Sequence, residues 1–322
     1  MDPTPFLAVR RTDPVTGLTV RITGPRPRDP GLSDGRVPDL EAVSAATAKS
    51  CPFCGAGPWT RTPRFPPALV PEGRIRRGDA VLFPNLAPYG PYSSVTTLSP
   101  DHHVPLGRFT AAMYRDALGN CLELASRVAA ADLRPRWAVI SQNVLPSSGG
   151  ALFHPHLQVN LDDEPVGYHR MLEEARARHG RGPDLLDCLA RDAFAQGRGI
   201  GRSGEWAWFT PFAPLAAWEV QAVLPGPLLA GQLQDGCLDA LVAGLLAVEA
   251  WYAKDGRNAL NLGLFLPLRE PSPLLLRLMI RSTFRPWYRS DRSCYEIALY
   301  EGVTDRAPES QAAAMRADGV LA

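Results

Sequence analysis

The feature that most constrains this chain is an order of elements that occurs twice. In the first half, "DAVLFPN" (79–85) and "SSVTTLS" (93–99) have the composition and alternation of strands. From Phe109 to about Ala131 the period changes, and Tyr114, Leu118, Cys121, Leu122, Ala125 and Val128 fall on one helical face. Two more strands are expected at "RWAVISQN" (136–143) and "FHPHLQVNL" (153–161). In the second half, "EWAWFTPF" (205–212) and "AWEVQAVLP" (217–225) predict strands. A helix is expected from about Leu233 to Lys254, with Leu238, Leu241, Val242, Leu245 and Val248 on its apolar face and Gly256 placed to cap it. "NALNLGLFLP" (258–267) and "LLRLMIRS" (275–282) complete the set. Strand, strand, helix, strand, strand therefore appears twice. This predicts an α+β fold made of a duplicated unit, each copy an antiparallel sheet with a packed helix. Residues 166–200 read as two short connecting helices, so the boundary is placed there, giving domains 1–175 and 176–322.

Composition narrows the class. The chain has 322 residues, enough for two modest domains whose cores need no disulfides. Its 34 basic and 33 acidic residues nearly cancel, which gives neither a nucleic-acid signature nor a polybasic membrane patch. The opening "MDPTPFLAVRRTDP" lacks the apolar core of a signal peptide, and no run is expected to span a membrane. Of six cysteines only Cys51 and Cys54 are close in sequence, so a reducing cytoplasm is expected rather than a disulfide scaffold.

The two copies differ in chemistry, because all six histidines precede residue 180. "CPFCG" is a Cys-x-x-Cys turn and admits three readings. A zinc ribbon needs a second such pair, which is absent. A redox pair should open a helix, yet "GAGPWTRTPRFPP" follows. The third reading is a Cys2His2 metal site completed by "SPDHH" (99–103) and "FHPH" (153–156), since thiolate and neutral imidazole are the ligands that tetrahedral zinc prefers. The plain alternative is two free thiols and unrelated surface histidines.

The stretch "SSGGALFHPHLQVNLD" (147–162) carries the second constellation. In an extended segment His154 and His156 share a face, roughly 7 Å apart, and Gln158 continues the row. Pro155 gives no amide to a neighbouring strand, which suits an edge or bulge. Upstream, Ser147, Ser148, Gly149 and Gly150 offer backbone N–H groups able to surround an anion, and Asn143 can orient that loop. A neutral imidazole beside such a cradle can attack phosphorus and form a covalent intermediate. A metal on His154 would then be structural. The competing reading is a chance His-Pro-His with one ring capping a turn.

"HPHLQ" resembles the His-Pro-His-x-Gln signature of the galactose-1-phosphate uridylyltransferase family, a branch of the histidine triad superfamily. "DPVTGLTVRITGPRPRDP" (13–30) is similar to the family's N-terminal segment, with Arg26 at its arginine position. "CPFC" matches the first zinc pair, and "LSPDHH" the Ser-Pro-x-His segment, selecting His102 over His103. "FPNLAP" (83–88) resembles the nucleoside-pocket segment with Asn85 as its asparagine. "WFTPFAPLAAWEV" (208–220) and residues 294–316 resemble the second domain. The resemblance implies two fused histidine-triad-like domains, a homodimer, and structural zinc on Cys51, Cys54, His102 and His154. It implies ping-pong transfer of UMP from a nucleotide donor to a sugar 1-phosphate, with His156 attacking the α-phosphorus and Gln158 hydrogen-bonding the transferred group. The loop 147–150, Asn143, Asn85 and Arg26 would hold nucleotide and phosphate, and Tyr295 and Glu296 would contact the sugar.

Departures from the pattern open alternatives. Ala151 stands where the family has a phosphate-binding serine, so Ser147 or Ser148 is a candidate substitute. "LNLGLFLP" has leucines where some members hold a second metal, so none is expected. Ser290 and Gly302 replace a lysine and a glutamine near the sugar contacts. The alternatives are transfer to an unusual sugar phosphate, using UTP or another nucleotide-sugar, a dinucleoside-polyphosphate phosphorylase, a hydrolase, or a non-catalytic zinc-stabilised binding protein. Arg281, Arg285 and Arg289 read as phosphate ligands or a solvated basic edge, and Trp206, Trp208 and Trp218 as core or dimer interface.

Overall fold

A computed structural model of the chain describes residues 8–24, 39–180, 184–284 and 290–321; Arg26, Arg285 and Arg289 lie outside the described residues. In chain order the elements are β1 (Val9–Thr12), β2 (Thr19–Ile22), α1 (Leu40–Ala48), α2 (Gly57–Thr60), β3 (Ile75–Arg77), β4 (Ala80–Pro84), β5 (Tyr92–Thr97), α3 (Ala111–Ala131), β6 (Trp137–Asn143), β7 (His156–Asp162), α4 (Gly167–His179) and α5 (Leu185–Ala195). The second half continues with β8 (Gly199–Ser203), β9 (Trp206–Phe209), β10 (Val220–Leu228), α6 (Asp235–Lys254), β11 (Leu260–Pro267), β12 (Ser272–Ile280), α7 (Cys294–Ile297), β13 (Gly302–Thr304) and α8 (Pro308–Ala317).

The duplicated order is present, but the two copies do not close separate sheets. Among the described residues they form one ten-stranded sheet in the order β3-β4-β5-β7-β6-β11-β12-β10-β9-β8. The first half supplies β3 to β7 and the second β8 to β12, in mirrored order. The junction is β6 paired antiparallel with β11, from Asn143↔Asn261 to Trp137↔Pro267. The expected division at residue 175 falls inside α4.

The two faces of the sheet differ, because successive side chains alternate between them. One face is apolar: Leu82, Ile140, Leu157, Val159, Leu161, Leu262, Leu264, Leu276 and Trp208 are all buried in one core with α3 and α6. Each such side chain contributes about 2 kcal/mol on leaving water, so the sheet holds both helices. Thr110 caps α3 by accepting from the Met113 N–H at 3.3 Å, and Gly256 ends α6 at φ +75°. Helix α6, 20 residues long, is long and apolar enough to cross a membrane by length and composition, with mean hydropathy 1.4 over its most apolar 18 residues, contrary to the expectation that no run is. Its apolarity is explained here by position: Leu238, Leu241, Val242, Leu245 and Val248 are buried against the sheet. Trp206 and Trp208 are wholly buried in the same core and Trp218 nearly so.

On the other face, α5 covers the second half through Leu186 and Ala193 over Ala207, Phe209, Val223 and Leu275. Phe53 covers part of the first half, over Val81, Phe83 and Val95. Between these covers lie the polar side chains of β7, β6 and β11. A second sheet, β1-β2-β13, carries the "DPVTG" turn, in which Asp13 accepts from the Thr16 amide at 2.8 Å and hydroxyl at 2.6 Å.

Under the sheet a carboxyl is buried between the helices. The Tyr114 hydroxyl lies 2.5 Å from Glu249 Oε1 and 2.8 Å from Gln142 Oε1. Burial favours the protonated carboxyl, and a protonated Glu249 can donate to Tyr114 while Tyr114 donates to Gln142. Burial pushes the Glu249 carboxyl up to about 8. A carboxyl raised in the folded state stabilises fully below its ordinary value near 4.5, and that contribution is lost as pH rises towards 8. Unfolding by urea should therefore show stability falling by about 1 kcal/mol per pH unit between pH 5 and 8 from this group. Glu249→Gln should remove that slope; a slope that survives the substitution would refute the protonated carboxyl.

Candidate metal and nucleophile site

Helix α1, capped by Asp39 accepting from the Glu41 and Ala42 amides, delivers the chain into the Cys-x-x-Cys turn. The turn closes through Gly57 N–H to Cys54 O at 2.9 Å, and a Cβ on Gly57 would meet the Pro52 carbonyl oxygen at 2.1 Å, so only glycine fits. His102 arrives from the β5–α3 connection and His154 from the β6–β7 connection. The Cys51, Cys54, His102 and His154 ligand atoms all lie within 4.8 Å of one another. Cys54 Sγ is 3.2 Å from His102 Nδ1 and 3.5 Å from His154 Nδ1. Tetrahedral zinc, with bonds of about 2.0–2.3 Å, spaces its ligand atoms about 3.5 Å apart, so the donor set fits.

The tautomers fit as well. His154 Nε2–H donates to the Ser99 carbonyl at 2.9 Å, which leaves the Nδ1 lone pair facing the thiols. Thr47 spends its hydroxyl proton on the Val43 carbonyl at 2.8 Å and so accepts from His102 Nε2–H at 2.9 Å, leaving His102 Nδ1 likewise available. Burial and the neighbouring Cys51 push the Cys54 thiol up to about 11, and a bound cation would displace that proton. His103 is not in the group; its ring packs edge-on against Phe153 at 5.5 Å. Thr47 was not legible as a participant, because α1 carries no motif.

His156 is the first residue of β7, opposite Thr97 of β5. The expected shared strand stops short of His154, which precedes β7 in the connection. Both rings still reach the same side, edge-on against Phe53 at 5.9 and 5.8 Å. His156 Nδ1–H donates to the His154 carbonyl at 2.8 Å. A carbonyl only accepts, so Nε2 carries the lone pair. Burial lowers the His156 pKa, which keeps the ring neutral. The Cys2His2 cluster and His156 are thus joined through one residue, His154. Gln158 follows on the same face between Val95 and Ser141.

The loop before β7 is tightly shaped. Leu145 takes φ 66°, a conformation that costs energy for a branched side chain, and Gly149 takes φ 97°. Gly150 lies against Asn143, whose carbonyl oxygen a Cβ would meet at 3.3 Å. The Ser148 hydroxyl donates to the Leu145 carbonyl at 2.7 Å, whereas the Ser147 hydroxyl is buried without a partner. Of the two serines considered in place of the family serine at Ala151, Ser147 has its hydroxyl uncommitted.

Two residues of the second half join this loop. Asn261 Nδ2 donates to Asn143 Oδ1 and to the Ser148 carbonyl at 3.0 Å. Arg281 Nη1 donates to the same Ser148 carbonyl at 3.1 Å and to Asn261 Oδ1 at 2.6 Å. Arg281 is therefore not a solvated basic edge: Asp291 holds its Nε at 2.7 Å. Asn261 was missed; its signal was a lone amide inside an otherwise apolar central strand, which must find partners.

Asn85 follows β4 and lies on the His156 face, with its Nδ2 on the Ser93 hydroxyl at 3.3 Å and its Oδ1 on the Ala87 amide at 3.1 Å. Tyr295 and Glu296 sit on α7. Glu296 turns back to accept from its own helix start, Ser293 N–H, at 2.8 Å, and the Tyr295 ring faces Arg21 at 5.3 Å. Neither side chain hydrogen-bonds any described residue of the His156 constellation.

No family model matches the chain. Over 311 residues it is 27% identical to an uncharacterized protein of Archaeoglobus fulgidus, a match covering 95% of this chain and 91% of that relative. An ADP-glucose phosphorylase from Arabidopsis thaliana, solved with bound ADP-glucose, is similar with a TM-score of 0.72 at 17% identity, covering 96% of this chain and 99% of that one. A uridylyltransferase structure is similar with a TM-score of 0.66 at 21% identity, covering 97% and 98%. Along nearly its whole length the chain has the fold of these two structures, an α+β fold in which antiparallel strands pack against helices.

Proposed function

We propose that this protein is a divergent member of the galactose-1-phosphate uridylyltransferase family that transfers a nucleoside monophosphate through a covalent nucleotidyl-histidine. The observation that carries the reading is the fixed tautomer of His156: a buried neutral imidazole with its Nδ1 proton committed and its Nε2 lone pair available. Nε2 would form a bond to the α-phosphorus of a nucleotide-sugar as the bond from that phosphorus to the bridging oxygen breaks, releasing a sugar 1-phosphate. An acceptor phosphate oxygen would then attack the same phosphorus, and the N–P bond breaks. Gln158 and the backbone amides of the Ser147–Gly150 loop would stabilise the charge on the phosphoryl oxygens. Zinc on Cys51, Cys54, His102 and His154 would be structural, fixing the carbonyl that sets the His156 tautomer. The chain is read as a cytoplasmic homodimer with UMP as the transferred group.

A second reading keeps the chemistry and changes the acceptor to inorganic phosphate and the base to adenine. It is supported by the likeness to the ADP-glucose phosphorylase.

Intact-protein mass after incubation with UDP-glucose, ADP-glucose or UTP separates these readings. Wild type should gain a UMP-sized or AMP-sized adduct, His156→Ala none, and steady-state turnover should fall by at least about 10³-fold in the variant. Chasing the adduct with a hexose 1-phosphate or with phosphate identifies the acceptor. An adduct that persists in His156→Ala would eliminate this nucleophile. Metal analysis should find one zinc per chain, and Cys54→Ser should lose the zinc and lower the thermal midpoint by several degrees, on the order expected when metal binding contributes to folding. Metal-free wild type with an unchanged midpoint would remove zinc from the structure.

A further inference from the structure

We infer that Asn261 and Arg281, both contributed by the second half, orient the Asn143 carboxamide so that its N–H2 group faces the transferred phosphoryl group, and that they act as positioning residues. The inference rests on the nucleotidyl-transfer reading above and extends it to residues which that reading does not use.

The argument is a chain of forced choices. A carboxamide can be turned either way, and only its partners decide which end is oxygen. Asp291 accepts from Arg281 Nε at 2.7 Å and Nη2 at 3.1 Å, which fixes the guanidinium. Arginine donates and never accepts, so the Asn261 atom 2.6 Å from Arg281 Nη1 must be Oδ1. Asn261 Nδ2 then points the other way, where the Ser148 carbonyl at 3.0 Å, an obligate acceptor, agrees with it. The Asn143 atom meeting Asn261 Nδ2 must accordingly be Oδ1. With its oxygen committed, Asn143 has only its amide protons to offer elsewhere. An oxygen turned outward would repel a phosphoryl group; an N–H2 donates to it.

The same two residues also hold the loop. Asn261 and Arg281 both donate to the Ser148 carbonyl, next to Gly149 and Gly150. The first half carries the nucleophile, while the second half, which has no histidine, sets the polarity of a donor beside it.

The test is a double-mutant cycle read by the single-turnover rate of adduct formation with the accepted donor, alongside calorimetric affinity for UMP and AMP and the thermal midpoint of each variant. Asn143→Ala and Asn261→Ala should each slow the first turnover by about tenfold or more, with little change in donor KM. The pair should be far less slow than the product of the two single effects, because Asn261 acts mainly through Asn143 and its other bond, to the Ser148 carbonyl, is shared with Arg281. Asn261→Asp should be slower than Asn261→Ala although Arg281 can pair with the new carboxylate: Asp has no donor, so Asn143 must turn its N–H2 inward and its oxygen towards the phosphoryl group. In the Asn143→Ala background the Asp and Ala variants should be equal, which separates this flip from a direct effect of charge. Multiplicative slowing in the pair, or an Asp variant as fast as the Ala variant, overturns the inference while leaving the transfer reading intact. If wild type forms no adduct but the same non-additive pattern appears in nucleotide affinity, the transfer reading fails and the positioning role stands. A wild type that neither forms an adduct nor binds either nucleotide overturns both.

Discussion

The pairing of β6 with β11 is the contact on which the rest of the structure depends. It turns two duplicated units into one sheet and lets α3 and α6 lie side by side beneath it, where Tyr114 and Glu249 meet. It also sets Asn143 opposite Asn261 at the end of the register, which brings an amide of the histidine-free half to the loop that precedes His156. Slipping this register by one residue would turn Asn261 into the apolar core and Leu262 out of it, so the same alternation that builds the core fixes the site.

At the site itself, single protons carry the organisation. Ser99 and Thr47 hold the Nε2 protons of His154 and His102, which turns both Nδ1 lone pairs towards the thiols. The His154 carbonyl holds the Nδ1 proton of His156, which turns the opposite nitrogen outward. His154 therefore serves two purposes: its ring belongs to the Cys2His2 cluster and its backbone sets the His156 tautomer. The order Cys-x-x-Cys, His, His-Pro-His acquires a physical reason, since a group that pins the His154 ring also pins the carbonyl attached to it.

Much of this was visible beforehand because it is local. The periodicity of α3 and α6, the alternation of β5, β6, β9, β11 and β12, the Cys-x-x-Cys turn and the glycines 149 and 150 depend on neighbours within a few residues. Short elements were harder to read. The strand β8, "GIGRS", has no apolar alternation and exists because β9 offers it hydrogen bonds. Helix α1 has no buried residue, so no apolar stripe marked it. Residues 153–155 looked like the start of β7 but belong to the connection, because His154 is drawn to the thiols and Pro155 gives no amide to a ladder.

The sequence by itself determined which chemistry is present: two thiols in one turn, two imidazoles around a proline, a glycine-rich loop before them, and a second half without histidine. It also determined that the chain is built twice from one order of elements. Only the tertiary structure decided that the copies share one sheet, that Ser147 rather than Ser148 keeps its hydroxyl uncommitted, and that Asn261 and Arg281 belong to the loop. The reason is physical. A motif states what a side chain can donate or accept, whereas the partners that take up that capacity come from 48 positions away for Cys54 and His102 to 133 for Ser148 and Arg281, brought beside it by the fold.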